Sequence, residues 1–167
     1  MSESASQVLY TPAQRARRDA TAWTLVQGVL APVQFLVFLI SLGLVTQSLR
    51  TGEHTDWALV SVVIKTIVLY IIMITGAIWE KVVFGQYLFA RAFFWEDVVS
   101  MGVLALHTAY LWVWWEGLWN ANDQLLLALV AYLSYGVNAA QYIRKLRMAR
   151  QQKTEANLPF EGAQVSP

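Results

Sequence analysis

Three carboxylic side chains stand where one long apolar stretch ends and the next begins: Glu80 closes the first, and Glu96 and Asp97 open the second. Carboxylates crowded in an apolar setting compete for protons, so one of them can stay protonated near neutral pH and act as a general acid. Glu96 and Asp97 are adjacent and point ~100° apart on a helix, so they cannot serve the same atom and their roles must differ. A purely structural use competes with this one. Acidic residues complement the dipole of a helix's first turn, and Glu80 could simply pair with Lys81 or Arg91.

A second set of polar groups lies deeper in the apolar stretches. His107 is close to the middle of the uncharged run between Asp97 and Glu116, and Lys65 alone interrupts the run between Asp56 and Glu80. Gln34, Ser134 and Tyr135 occupy the centres of two further runs, so every stretch brings a polar group to about the same depth. At ~100° per residue, Glu96, Ser100, Val103, His107 and Tyr110 share one helical face, a polar stripe from the rim to the middle. His107 could ligate a metal axially, donate a proton, or bridge two helices by a hydrogen bond. The other histidine, His54, belongs to the opposite end of the chain's fold, so a bis-His haem site within one bundle is excluded. Lys65 either sheds its charge on burial or snorkels outward along its stem.

The elements that must position these groups are marked by the scarcity of charge. Of 167 residues, 57% are hydrophobic and 14% charged, and the mean hydropathy is +0.44. A soluble domain of this size could not hide so much apolar surface. Four runs are each close to the ~20 residues that cross a bilayer core as a helix. The chain is therefore expected to be all-α, an integral membrane protein with four transmembrane helices in an antiparallel bundle. The helices are expected at about 23–46, 57–79, 93–115 and 124–146, within a membrane domain over 21–148. Polar tails without much order are expected at 1–20 and 149–167. Pro32 should bend the first helix or free a carbonyl there. That helix does not read as a cleaved signal peptide, because it is too long and lies behind a polar segment.

Ten of the twelve basic residues fall on one side: Arg15, Arg17 and Arg18, then Lys81 and Arg91, then Arg144, Lys145, Arg147, Arg150 and Lys153. Arg50 stands alone on the other. The positive-inside rule places both termini in the cytoplasm. Trp23, Trp79 and Trp95 suit the inner membrane boundary, and Trp57, Trp115 and Trp119 the outer one. The net charge of +1 offers nucleic acid no basic face, and with no cysteine there is neither a disulfide nor a thiolate metal site. Phosphate loops, nucleotide fingerprints and metalloprotease motifs are also missing from the sequence.

Three stretches carry a family likeness: RRDATAWTLVQGVLAPVQFLVFLISLGLV (17–45), IWEKVVFGQYLFARAFFWEDVVSMGVLALHTAYL (78–111) and YGVNAAQYIRKLR (135–147). They closely resemble the vinyl bacteriochlorophyllide hydratase family, BchF, with FFWED (93–97) followed by LHTAYL (106–111) as the most specific part. The resemblance implies a bacterial enzyme, a hydro-lyase in the cytoplasmic or intracytoplasmic membrane. It would add water to the 3-vinyl group of chlorophyllide a or 3-vinyl bacteriochlorophyllide a, giving a 3-(1-hydroxyethyl) product for a neighbouring dehydrogenase of the pathway. No separate cofactor is implied, since the magnesium belongs to the substrate.

On that basis Glu96 is expected to donate the proton, and Asp97 or Glu80 to orient the water. Trp79, Phe93, Phe94 and Trp95 would wall the flat ring, with Lys65 and Gln34 completing the substrate site from deeper in the bundle. Lys81 or Arg91 would meet the free propionate, and His107 would ligate magnesium or relay a second proton. Two non-hydratase uses of the same residues compete: a membrane carrier that only holds a chlorin, and a small proton-coupled transporter using Lys65 and the carboxylates.

Overall fold

The computed structural model describes residues 9–156, with side chains described to residue 151. The tail segments 1–8 and 157–167, and the side chain of Lys153, lie outside the described residues. Five helices follow one another: α1 (Pro12–Ala20), α2 (Ala22–Thr51), α3 (Thr55–Phe84), α4 (Phe94–Glu116) and α5 (Ala121–Ala156). The last four are long and apolar enough to cross a membrane, and no strand occurs among the described residues. α2 runs unbroken through Pro32, whose ring leaves the carbonyl one turn earlier without its usual amide partner.

Helix α1 departs from the disordered tail expected over residues 1–20. Its start is specified locally: the Thr11 hydroxyl accepts from the Gln14 amide at 3.2 Å, the Gln14 side chain accepts from the Thr11 amide at 2.9 Å, and Pro12 opens the helix. Its docking is tertiary. Tyr10 is buried against the ends of α3 and α4, its ring stacked on Phe84 at 5.7 Å, with the Arg18 guanidinium 4.8 Å above it. Thr21 then caps α2 through its hydroxyl.

α2 packs most extensively on α3, and α4 on α5, so the bundle is two helical hairpins laid side by side. An apolar core joins all four long helices, and polar contacts cross it between the hairpins. Ser41 of α2 meets the Tyr132 hydroxyl of α5, and the Tyr110 hydroxyl of α4 donates to the Leu59 carbonyl of α3 at 3.0 Å. Apolar side chains point outward instead: Leu36, Ile40, Ile64, Ile74, Trp112, Trp115, Leu126 and Leu133 are all exposed, as a lipid-facing surface requires. A polar seam inside an apolar coat is the frame that holds the site.

Candidate functional site

The end of the bundle shared by both chain ends gathers the rim carboxylates. Glu80 lies on the buried face of α3 with Lys65, Leu69 and Val83, and the buried stripe of α4 runs Glu96, Ser100, Val103, His107 and Tyr110, as the helical spacing predicts. Gly85 ends α3 in the left-handed region at φ 88°, where lack of a Cβ is an advantage. The segment 85–93 then folds back over the two helix ends as a strap. Within it, the Phe89 amide donates to Asp97 Oδ2 at 2.7 Å and the Ala90 amide to Glu80 Oε2 at 3.3 Å. Phe89 itself holds φ 60°, a left-handed conformation that costs a non-glycine residue about 1–3 kcal/mol. The Asp97 carboxylate is what fixes it there.

Glu80 and Asp97 are also within hydrogen-bonding reach of each other, and both are buried. Two carboxyl groups so placed can bond only if one keeps its proton. The Tyr142 hydroxyl approaches Asp97 Oδ1 at 3.4 Å from α5. Glu96, one residue away, faces elsewhere: both its oxygens accept from Lys145 Nζ at 3.1 Å. The adjacent pair therefore has separate partners, as its helical spacing predicts. Glu80 does not pair with Lys81 or Arg91. Lys81 donates to the Gly85 carbonyl at 2.8 Å and lies 5.3 Å from the Tyr87 ring, while Arg91 is exposed.

The aromatic residues expected to wall a flat ring divide into two groups. Trp79 and Phe93 face each other at 5.7 Å in a closed cluster with Tyr10, Phe84 and Tyr142, and Trp79 Nε1 donates to the Thr24 hydroxyl at 2.9 Å. Their faces are taken by these neighbours. Phe94 and Trp95 are exposed and continue through Phe89 and Tyr87 as an aromatic patch on the outside of the rim, with Phe89 and Phe94 centred 5.8 Å apart.

Deeper, Lys65 Nζ and His107 Nε2 lie 2.6 Å apart, and neither residue has exposed surface. His107 Nδ1 donates to the Val103 carbonyl at 2.8 Å, so Nε2 carries the lone pair that accepts from Lys65. The Lys65 nitrogen also sits 4.1 Å from the Tyr135 ring centre, and Tyr132 stacks on the imidazole at 5.9 Å. With both ring nitrogens engaged, His107 has no lone pair left for magnesium. Of its three expected uses, the bridge between helices is the one its contacts form. Among the described residues, no three His, Asp or Glu side chains gather to hold a metal ion.

Gln34 is almost wholly buried, yet neither atom of its amide has a protein partner. Asn138 donates to Ser100 Oγ at 2.9 Å, but its Oδ1 is likewise unpaired and buried, as is Gln141 Oε1. Asn138, Tyr142 and Lys145 are not among the site residues expected from the sequence. The signal was there: they recur at helical spacing on one face of α5, the count that exposed the stripe on α4. Ser134, in contrast, bonds back to the Ala131 carbonyl of its own helix and joins nothing.

A family model described as 2-vinyl bacteriochlorophyllide hydratase (BCHF) matches residues 10–148. Two curated proteins named 2-vinyl bacteriochlorophyllide hydratase are similar over most of their length. The protein of Cereibacter sphaeroides is 66% identical over 142 residues, covering 85% of this chain and 88% of the relative. That of Rhodobacter capsulatus is 62% identical over 144 residues, covering 86% and 84%. No solved structure matches the chain.

Proposed function

The chain belongs to the 2-vinyl bacteriochlorophyllide hydratase family, and from that footing we propose how this membrane-embedded hydro-lyase of bacteriochlorophyll synthesis adds water to its pigment. The substrate is chlorophyllide a or 3-vinyl bacteriochlorophyllide a, the vinyl position being 2 or 3 according to the macrocycle numbering used. The observation that carries the mechanism is the buried contact between Glu80 and Asp97. The protonated member gives its proton to the terminal vinyl carbon, leaving a cation on the inner carbon that the macrocycle shares. Water oxygen bonds to that inner carbon, and the proton it sheds goes to the carboxylate partner, which restores the pair and leaves a 1-hydroxyethyl group. The acid role thus moves from Glu96 to this pair, because Lys145 Nζ occupies both Glu96 oxygens at 3.1 Å.

The ring lies on the exposed aromatic patch of Tyr87, Phe89, Phe94 and Trp95, with Arg91 or Lys81 meeting the propionate. Because the acid pair is covered by the strap, the vinyl group reaches it only when the Phe89 and Ala90 amides let go. No cofactor is needed, since proton and water are the only things transferred; the magnesium is the substrate's own. The excess of Lys and Arg at this end supports a strap and termini facing the cytoplasm of a phototrophic bacterium, from its inner or intracytoplasmic membrane, where a dehydrogenase would take up the alcohol.

Incubating the purified full chain with chlorophyllide a in water enriched in oxygen-18 tests this reading. Loss of the vinyl from conjugation should shift the red absorption band to shorter wavelength, and the extracted pigment should carry one labelled hydroxyl. A spectrum that changes on binding with no new pigment on extraction would identify a chlorin carrier instead.

A further inference from the structure

The unpaired amides fall on one line. Ser41 meets Tyr132 and the rings of Phe38 and Tyr135 lie 4.8 Å apart, so α2 and α5 run antiparallel in a fixed register. One turn further towards the rim, that register brings Gln34 level with Asn138. Another turn along α5 lie Gln141, which is partly exposed, and Tyr142. From Asn138 the polar contacts continue to Ser100 at 2.9 Å, and Tyr142, one turn along α5 from Asn138, reaches Asp97 at 3.4 Å. A column of polar groups therefore lies beneath the acid pair, and its deepest members have hydrogen-bonding capacity that no protein group uses. An unmet buried amide costs about 1–3 kcal/mol for each group left without a partner.

The occupant must be small, neutral and both donor and acceptor, because Gln34 offers both kinds of group while Asn138 and Gln141 offer acceptors. Water has that chemistry, and a buried water characteristically makes two to four such bonds. We propose that Gln34, Asn138 and Gln141 form a water-binding column that supplies the second substrate of hydration from inside the bundle. The inference rests on the hydratase reading and deepens it. When a flat pigment covers the rim from outside, bulk water is shut out from the acid pair. A molecule held behind the pair can still reach it, past Ser100 and Tyr142. Gln34, expected from sequence to touch the substrate, then serves water rather than pigment. It is a positioning residue in the second substrate's path.

Water-edited solid-state NMR on the full chain in lipid bilayers, with nitrogen-15 in Gln and Asn side chains, reads the site directly. The Gln34 and Asn138 amide protons should receive magnetisation from water at rates within about threefold of the exposed Gln86 amide. Gln34→Leu should lower kcat for hydration at least tenfold with the pigment KM unchanged, and Asn138→Leu should do the same. Gln34→Glu, which restores hydrogen-bonding capacity, should recover part of the loss. No water transfer to either amide in the wild-type chain would overturn the proposal, as would a folded Gln34→Leu protein with wild-type kcat. Should a leucine variant fail to fold, the transfer rates of the wild-type chain still decide. If the wild-type chain converts no vinyl pigment while its amides are hydrated, the hydratase reading fails and the water site stands.

Discussion

Two clusters of ionisable residues sit along the same seam, and they are built in opposite ways. The Lys65–His107 pair is closed: both imidazole nitrogens are engaged, and tyrosine rings pack on the ammonium and the imidazole. The Glu80–Asp97 pair is poised: it is held by amides of a strap whose own backbone is strained at Phe89, and it leads to polar groups with unused valences. A closed cluster joins helices and has nothing left to offer a ligand. A poised cluster, on the proposed mechanism, keeps a removable cover and a proton that can leave. Burial alone does not separate the two, since both pairs are buried; what separates them is how many of their bonds are final.

The sharpest way to break the contrast is to remove one rim carboxyl. Glu80→Gln or Asp97→Asn should lower the hydration rate by about 10²–10⁴-fold, the usual worth of a positioned proton donor or acceptor, while pigment binding is kept. A kcat within threefold of wild type, followed by the blue shift of the red band, would return the pair to a structural role. His107→Phe should act on stability instead. Leaving the buried Lys65 nitrogen without its hydrogen-bond partner should cost about 1–3 kcal/mol, visible as a lower midpoint in thermal or denaturant unfolding. The double variant Lys65→Met/His107→Phe should recover most of that and still hydrate pigment; loss of activity in a stable double variant would make the deep pair part of the chemistry.

Smaller effects refine the boundary between the two. Glu96→Gln should cost at most about 1 kcal/mol, because its ion pair with Lys145 is partly open to solvent. It should reduce kcat less than tenfold, and a loss as large as that of Asp97→Asn would restore Glu96 as the donor. At the strap, Phe89→Gly should be more stable than Phe89→Ala by about 1 kcal/mol, both lacking the ring and only one relieved at positive φ. Equal melting temperatures for these two would mean that the left-handed turn stores nothing.

The four long helices were legible because charge is expensive in a bilayer and the gaps between charges measure the spans. The buried stripe on α4 was legible for the same reason: a face at helical spacing needs only one helix to be seen. The depth of Lys65, His107 and Gln34 could be counted too, but counting gave no partners, since a pairing across the seam depends on how two hairpins rotate against each other. Hence the expected propionate and magnesium contacts could not be weighed against the actual bonds of Lys81 and His107. Helix α1 was hidden differently. Its capping box is in the sequence, yet it is the docking of Tyr10 onto Phe84 and Phe93 that ties so short a basic helix to the bundle. Trp79 misled because an aromatic side chain at a rim reads the same whether its face is free or already covered by Phe93.

The pairing of Lys65 with His107 has a consequence for how the chain is made. A lysine near the middle of a membrane helix costs about 2.5–3.5 kcal/mol on insertion. The first hairpin enters the bilayer before α4 exists, so it carries that charge uncovered while the second hairpin is still being synthesised. The two halves are then committed to each other: α4 arrives with the imidazole that accepts from the Lys65 nitrogen, and α5 with the tyrosine rings that pack on it. A truncated chain ending after the strap would present a bare cation to lipid, a recognisable mark for membrane proteases that clear unfinished proteins.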